Sequence, residues 1–171
     1  MDGDGRPDVV AVYEEAAMQA TAVRVMLQRD RPVSTYCAPK VNSLGCVPEI
    51  THSGLPSASA GSGFTIGASR VLAGKAGLFF YGHNGQLSTP FQGGTMCLQV
   101  PRKRMPLQTA SAGTGCAGTF ATDFNLRIAS GVDPLLVAGA RVCGQWWSRD
   151  SGFTPPNNTG LTNAIDFVVQ P

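Results

Sequence analysis

Four groups of side chains in this sequence have types and spacings that could do chemistry. The first is the opening Asp2-Gly3-Asp4-Gly5-Arg6-Pro7-Asp8. Carboxylates at i, i+2 and i+6 of a glycine-containing loop can converge on one hard cation, because glycine permits the positive φ that folds the loop around it. Calcium is the expected guest, with Asp2, Asp4 and Asp8 as ligands; the competing reading is a solvated acidic turn before a strand. The second group is the five cysteines, Cys37, Cys46, Cys97, Cys116 and Cys143. None forms a CxxC pair, which argues against a zinc ribbon or a thioredoxin-type motif. Disulfides are the expected use. Cys37 and Cys46 lie across a loop with Pro39 and Gly45, Cys97 and Cys116 bracket a loop with Pro101, Pro106 and Gly113, and either spacing can close a bridge. Cys143 is then left as a free thiol. The alternative is five reduced, partly buried thiols.

The third group is Trp146-Trp147, followed by Arg149 and Asp150. Neighbours on a strand point to opposite faces, so if one indole enters a core the other approaches the opposite surface. An exposed tryptophan beside Arg149 and Asp150 would stack on a sugar ring while the polar groups hold its hydroxyls. The competing arrangement covers the second indole with the 148–160 loop and pairs Arg149 with Asp150. The fourth group, Arg102-Lys103-Arg104, is a compact basic run suited to phosphate or an acidic glycan, or simply to water. It lacks the interleaved aromatic residues of a single-stranded nucleic-acid platform, so no nucleic-acid partner is expected.

Enzymatic patterns are missing from the sequence. It has no GxSxG, and the two histidines, His52 and His83, fall in turn-like contexts. Gly74-Lys75 is followed by Ala76 where a phosphate-binding loop needs Ser or Thr. Past residue 31 the only carboxylates are Glu49, Asp123, Asp133, Asp150 and Asp166, without local pairing for glycoside hydrolysis. The expectation is a chain that is not an enzyme, with an enzyme of unknown class ranked third behind structural and glycan-binding roles.

The elements that must position these groups read as strands. Of 171 residues, 21 are Gly and 12 are Pro, and only 14% are charged against about a quarter in ordinary globular proteins, so turns are frequent. Short apolar runs punctuated by Gly, Pro, Asn and Ser fit an antiparallel β-sandwich of Greek-key or jelly-roll type. Candidate strands are 64–69, 77–81, 95–100, 107–109, 118–127, 140–147 and 164–169. Alternation from Phe120 to Ile128 suggests one buried face, Asn84-Gly85 signals a hairpin turn, and Asp133-Pro134 can start a helical turn within 130–138. Residues 9–13 form a strand-length apolar run, and the ambiguous 13–29 segment is read as strand, loop, strand. Residues 1–30 carry six acids and three bases, the remainder five acids and ten bases, which points to two segments meeting near Arg31-Pro32. No basic, apolar leader follows Met1, and no run approaches 18 apolar residues, so no membrane span is expected.

Two family resemblances follow from these residues. Asp2 to Asp8 with Val9-Val10-Ala11-Val12 and Val23-Arg24-Val25-Met26-Leu27 resembles the end of an FG-GAP (VCBS-type) repeat, the calcium-loop blade of certain β-propellers. Its loop lacks one Asp that would stand before Met1. From Tyr36-Cys37 onward, Asn42-Ser43-Leu44-Gly45-Cys46, Gly77 to Gly82, Pro90 to Cys97, Thr119 to Asn125 and Gln145 to Asp150 resemble a C-terminal module of large secreted bacterial proteins carrying such repeats. The resemblance implies a partial repeat over 1–30, a linker over 31–35 and a β-sandwich module over 36–171. It implies the pairings Cys37 with Cys46 and Cys97 with Cys116, with Cys143 as a departure. It also implies a secreted or cell-surface fragment whose export signal lay upstream, with upstream propeller repeats as partners; the exposed-tryptophan reading adds a cell-surface glycan as a partner. The family offers no catalytic residue to carry over. The expected role is a non-catalytic structural or attachment module, with a carbohydrate-binding module using an exposed Trp as the alternative.

Overall fold

The computed structural model describes residues 33–171 in full and two backbone strands before them, β1 (Val9–Glu14) and β2 (Thr21–Met26). The chain divides into two units, Met1–Pro32 and Val33–Pro171. In the first, β1 and β2 pair antiparallel from Val9↔Met26 to Glu14↔Thr21. Asp2, Asp4 and Asp8 lie outside the described residues.

The second unit is an all-β antiparallel sandwich. Its elements are β3 (Ser34–Tyr36), β4 (Glu49–Ser53), β5 (Thr65–Val71), β6 (Ala76–Gly82), β7 (Gln86–Phe91), β8 (Gly94–Leu98), β9 (Lys103–Arg104), β10 (Gln108–Thr109), β11 (Gly118–Asp123), α1 (Phe124–Ala129), β12 (Arg141–Arg149) and β13 (Thr159–Val168). A central sheet has the order β10-β6-β12-β13-β3, with β9 also paired to β6; β11-β5-β4 form a second sheet and β7-β8 a separate hairpin.

Period-two alternation on the central strands explains why both faces of that sheet are covered. Phe79 and Tyr81 on β6, Val142 and Trp146 on β12, and Ile165 and Phe167 on β13 face the main core. They meet Ile50, Ile66, Ala68 and Phe120 of the second sheet. Their neighbours Phe80 and Cys143 point the other way and pack with Met96 and Leu98 of the hairpin. The order is therefore three layers: the β11-β5-β4 sheet, the central sheet and the β7-β8 hairpin.

Several sequence expectations change at this level. The strand read as 118–127 ends at Asp123, which caps α1 by accepting a hydrogen bond from the Asn125 amide at 3.0 Å. Phe124 and Ile128 then share one buried helical face at i and i+4, while Leu126 between them is exposed. The helical turn expected within 130–138 is a series of non-helical turns. Asn84-Gly85 does make a turn, but β6 and β7 on either side of it belong to different layers. The actual hairpin turn is Gln92-Gly93, with φ of 47° and 74°, as a two-residue primed turn requires. β7 was hidden by Pro90, which is tolerated because this hairpin pairs on one side only. β3 takes in Ser34 and Thr35 of the expected linker together with Tyr36, and is the last strand of the central sheet.

Candidate functional site

Strand β12 sets the geometry. Trp146 is 1% exposed and stacks on Phe120 with ring centroids 4.9 Å apart. Gly144 on the same face makes room for the Phe79 ring; a Cβ there would sit 2.1 Å from Phe79 Cζ. On the opposite face, the buried Gln145 ties the hairpin down. Its Oε1 accepts from the Cys97 amide at 3.2 Å, and its Nε2 donates to the Thr95 carbonyl at 3.1 Å and the Thr162 carbonyl at 2.7 Å. Trp147, also on this face, is only half-buried. Its Nε1 donates to Gln92 Oε1 at 3.3 Å, and the Arg149 guanidinium lies 5.1 Å from the ring centroid. The indole is thus held in one orientation by a hydrogen bond and a cation–π contact.

Trp147 lines a groove of about 510 Å³ with Leu78, Phe80, Phe91 and Met96 as apolar neighbours. Arg102 and Arg104 line the same groove. Strand register explains how the basic run reaches it. β9 pairs with β6 as Tyr81↔Lys103 and Phe80↔Arg104, so adjacent basic residues are sent to opposite faces. Arg104 goes to the groove, whereas Lys103 turns toward the main core and donates to Asp133 Oδ1 at 2.5 Å.

Asp133 is the centre of a buried polar cluster. Its side chain is fully buried and accepts from Tyr81 Oη at 2.9 Å and the Leu135 amide at 3.1 Å, with His83 Nε2 3.0 Å away. Burial alone would raise this carboxyl. The hydrogen bonds from Lys103, His83, Leu135 and Tyr81 outweigh it and hold the group well below the usual carboxylate range. Burial pushes the Tyr81 hydroxyl up to about 12. The cluster ties the 130–138 loop to β6 and β9.

Two of the four expected glycan contacts are not available to a ligand. Trp146 is in the core, and Asp150 is fully buried. Asp150 is not paired with Arg149; it accepts from the Ser43 amide at 2.9 Å, Ser43 Oγ at 2.5 Å and the Gly152 amide at 3.1 Å. A buried carboxylate must be satisfied by several donors, and the Ser43 turn supplies them where an exposed guanidinium does not. Trp147 and Arg149 remain at the surface, and Arg102 and Arg104 join them.

Cys37, Cys46, Cys97 and Cys116 are all disulfide-bonded, but the pairing is Cys37–Cys97 and Cys46–Cys116, not Cys37–Cys46 and Cys97–Cys116. The local pairing fails because the chain continues past Cys37 along β13, with the Lys40 amide donating to the Leu161 carbonyl at 2.9 Å. It then turns over Asn42, whose Oδ1 accepts from the Leu44 and Cys46 amides and whose Nδ2 contacts Cys116 Sγ. That turn delivers Cys46 to Cys116. Cys143 is a buried free thiol whose ionisation burial suppresses. The two bridges mark an oxidising environment.

Among the described residues, no three His, Cys, Asp or Glu side chains gather so as to hold a metal ion, and no helix is long and apolar enough to cross a membrane. The late carboxylates do not converge either: Asp133 and Asp150 are engaged as above, and Asp166 is bound by the Arg141 guanidinium and Gln86 Nε2. Compared with known proteins, the chain matches no family model, no curated protein and no solved structure.

Proposed function

We propose that residues 33–171 are a non-catalytic attachment module of an exported, surface-associated protein, and that the groove at Trp147 is its carbohydrate-binding subsite. The observation that carries the reading is the half-buried indole itself, fixed by Gln92 and Arg149 at the edge of a groove with an apolar floor. Such a ring offers a flat apolar face to the C–H face of a pyranose while leaving polar groups at the rim for hydroxyls. Support for export comes from the two disulfides, since such bridges persist outside reducing compartments. Support for a non-catalytic role comes from Asp133, whose donors come from packed structural elements and keep it ionised. The attachment to upstream FG-GAP repeats rests on the sequence resemblance alone, and the calcium loop belongs with it.

Affinity electrophoresis through gels cast with a panel of soluble polysaccharides tests this. At least one polymer should retard the parent chain, and Trp147→Ala should migrate as in a polymer-free gel. No retardation by any polymer removes the carbohydrate part of the reading. A purely structural module, favoured by two interleaved disulfides that bind loops to layers, then remains.

A further inference from the structure

The groove brings together two sequence features that are 45 residues apart, Trp147 and the basic run beginning at Arg102. Arg102 and Arg104 line the groove, and the Arg149 guanidinium lies 5.1 Å from the centroid of the Trp147 ring at its edge. Among the described residues, none of these three guanidinium groups is paired with a carboxylate, and no acidic side chain lines the groove. Elsewhere Lys103 has Asp133 and Arg141 has Asp166 as acidic partners, while the buried Lys40 ammonium donates to the Gln92 and Asn157 carbonyls. Three uncompensated like charges around one apolar cleft create a positive potential that a neutral ligand leaves in place and an anionic one relieves.

We infer that the ligand of this groove is an acidic saccharide, a chain containing uronic acid units. The inference rests on the carbohydrate reading and narrows it. A pyranose uronate has the two features that the groove presents in complement. Its C–H face packs on the partly exposed Trp147, Leu78 and Phe91 surface, and its carboxylate accepts the paired N–H donors of a guanidinium. Strand pairing closes the two floor strands, β6 and β12, to an acidic peptide's backbone, and poly-glutamate in the test below decides between peptide and saccharide. Leu78 and Phe80 stand on β6, flanked by β12 on one side and by β9 and β10 on the other, and Trp147 stands on β12 between β6 and β13. A peptide backbone could therefore join only at the edges of β9 or of the β7-β8 hairpin, not on β6 or β12.

The test measures binding of the intact chain to polygalacturonate, to the same polymer after carboxyl reduction, and to poly-glutamate, at low and moderate salt. Polygalacturonate should bind at least about tenfold more tightly than its reduced form, with affinity falling as salt rises. Arg104→Gln, at an exposed position, should weaken polygalacturonate binding by about threefold to tenfold and change binding of the reduced polymer far less. Trp147→Ala should abolish binding to both saccharides, and Trp147→Phe should restore part of it; a melting curve matching the parent's shows that the fold is retained. Equal affinity for the two saccharides overturns the acidic inference and leaves the carbohydrate reading standing. Poly-glutamate binding as tightly as polygalacturonate means that charge alone is being read, which also overturns it. Absence of binding to polygalacturonate overturns the acidic inference, and the polysaccharide panel described above decides the carbohydrate reading on its own.

Discussion

The two faces of the central sheet are built from the same strands but finished differently. The inner face is closed: Phe79, Trp146 and Phe167 meet a full second sheet, and Phe120 stacks on Trp146 at an interplanar angle of 9°. The outer face is half closed. A two-stranded hairpin covers Cys143 and Phe80 there but leaves Trp147 and Leu78 only partly buried. Each face has its own crosslink. Cys46 and Cys116 precede β4 and β11 of the second sheet, while Cys37 follows β3 of the central sheet and bonds to Cys97 on β8 of the hairpin. The comparison teaches that adjacent residues of one strand can serve unrelated purposes, because the pleat assigns Trp146 to packing and Trp147 to a groove.

The largest effect should come from exchanging the two tryptophans' roles. Trp146→Ala, which empties a fully packed site, should cost about 3 to 5 kcal/mol by chemical denaturation, whereas Trp147→Ala should cost about 1 to 2 kcal/mol. Similar losses for both would break the distinction between the faces. Next, Cys46→Ser with Cys116→Ser and Cys37→Ser with Cys97→Ser should each lower stability by about 2 to 4 kcal/mol. The bridges close separations of 70 and 60 residues and so restrict the unfolded chain. Hydrogen exchange should then separate the faces, with the first pair loosening β4 and β11 and the second releasing β7 and β8.

A smaller effect is expected at Asp133 on the inner rim. Asp133→Asn should lose about 2 kcal/mol at neutral pH, because it removes the charge that Lys103, Tyr81 and the Leu135 amide address. The folded carboxyl is held below its unfolded value of about 4, so its contribution is complete above that value and is lost as pH falls toward the folded one. The stability gap between parent and variant should narrow as pH falls below about 4. A gap that narrows on going alkaline instead would contradict the assignment. The smallest effect concerns Cys143, beneath the hairpin: an alkylating reagent should label none of the native chain and one thiol per unfolded, unreduced chain. Labelling of the native chain would show that the hairpin lifts from the outer face.

Much of the strand inventory was legible because it depends on local alternation. Strands near 65–71, 76–82, 94–98, 141–149 and 159–168 all carry runs that a pleat can sort into two faces. β3, β4 and β7 were not legible, being short, polar or interrupted by Pro90, and they form only because a neighbouring strand offers its hydrogen bonds. The Phe120 to Ile128 alternation misled because residues four apart satisfy a strand and a helix equally; the capping carboxylate of Asp123 is what decides.

What the sequence determined by itself was the class of fold, the use of cysteines as crosslinks and the opposition of Trp146 to Trp147. Each follows from residue type and period alone. Tertiary structure decided which cysteines meet, which tryptophan is sealed, and that Arg102 and Arg104 flank Trp147 while Lys103 goes to Asp133. These outcomes depend on which strands become neighbours and in what register. Pairing between distant segments is set by the sum of packing over the whole core, and no short stretch of chain contains that sum.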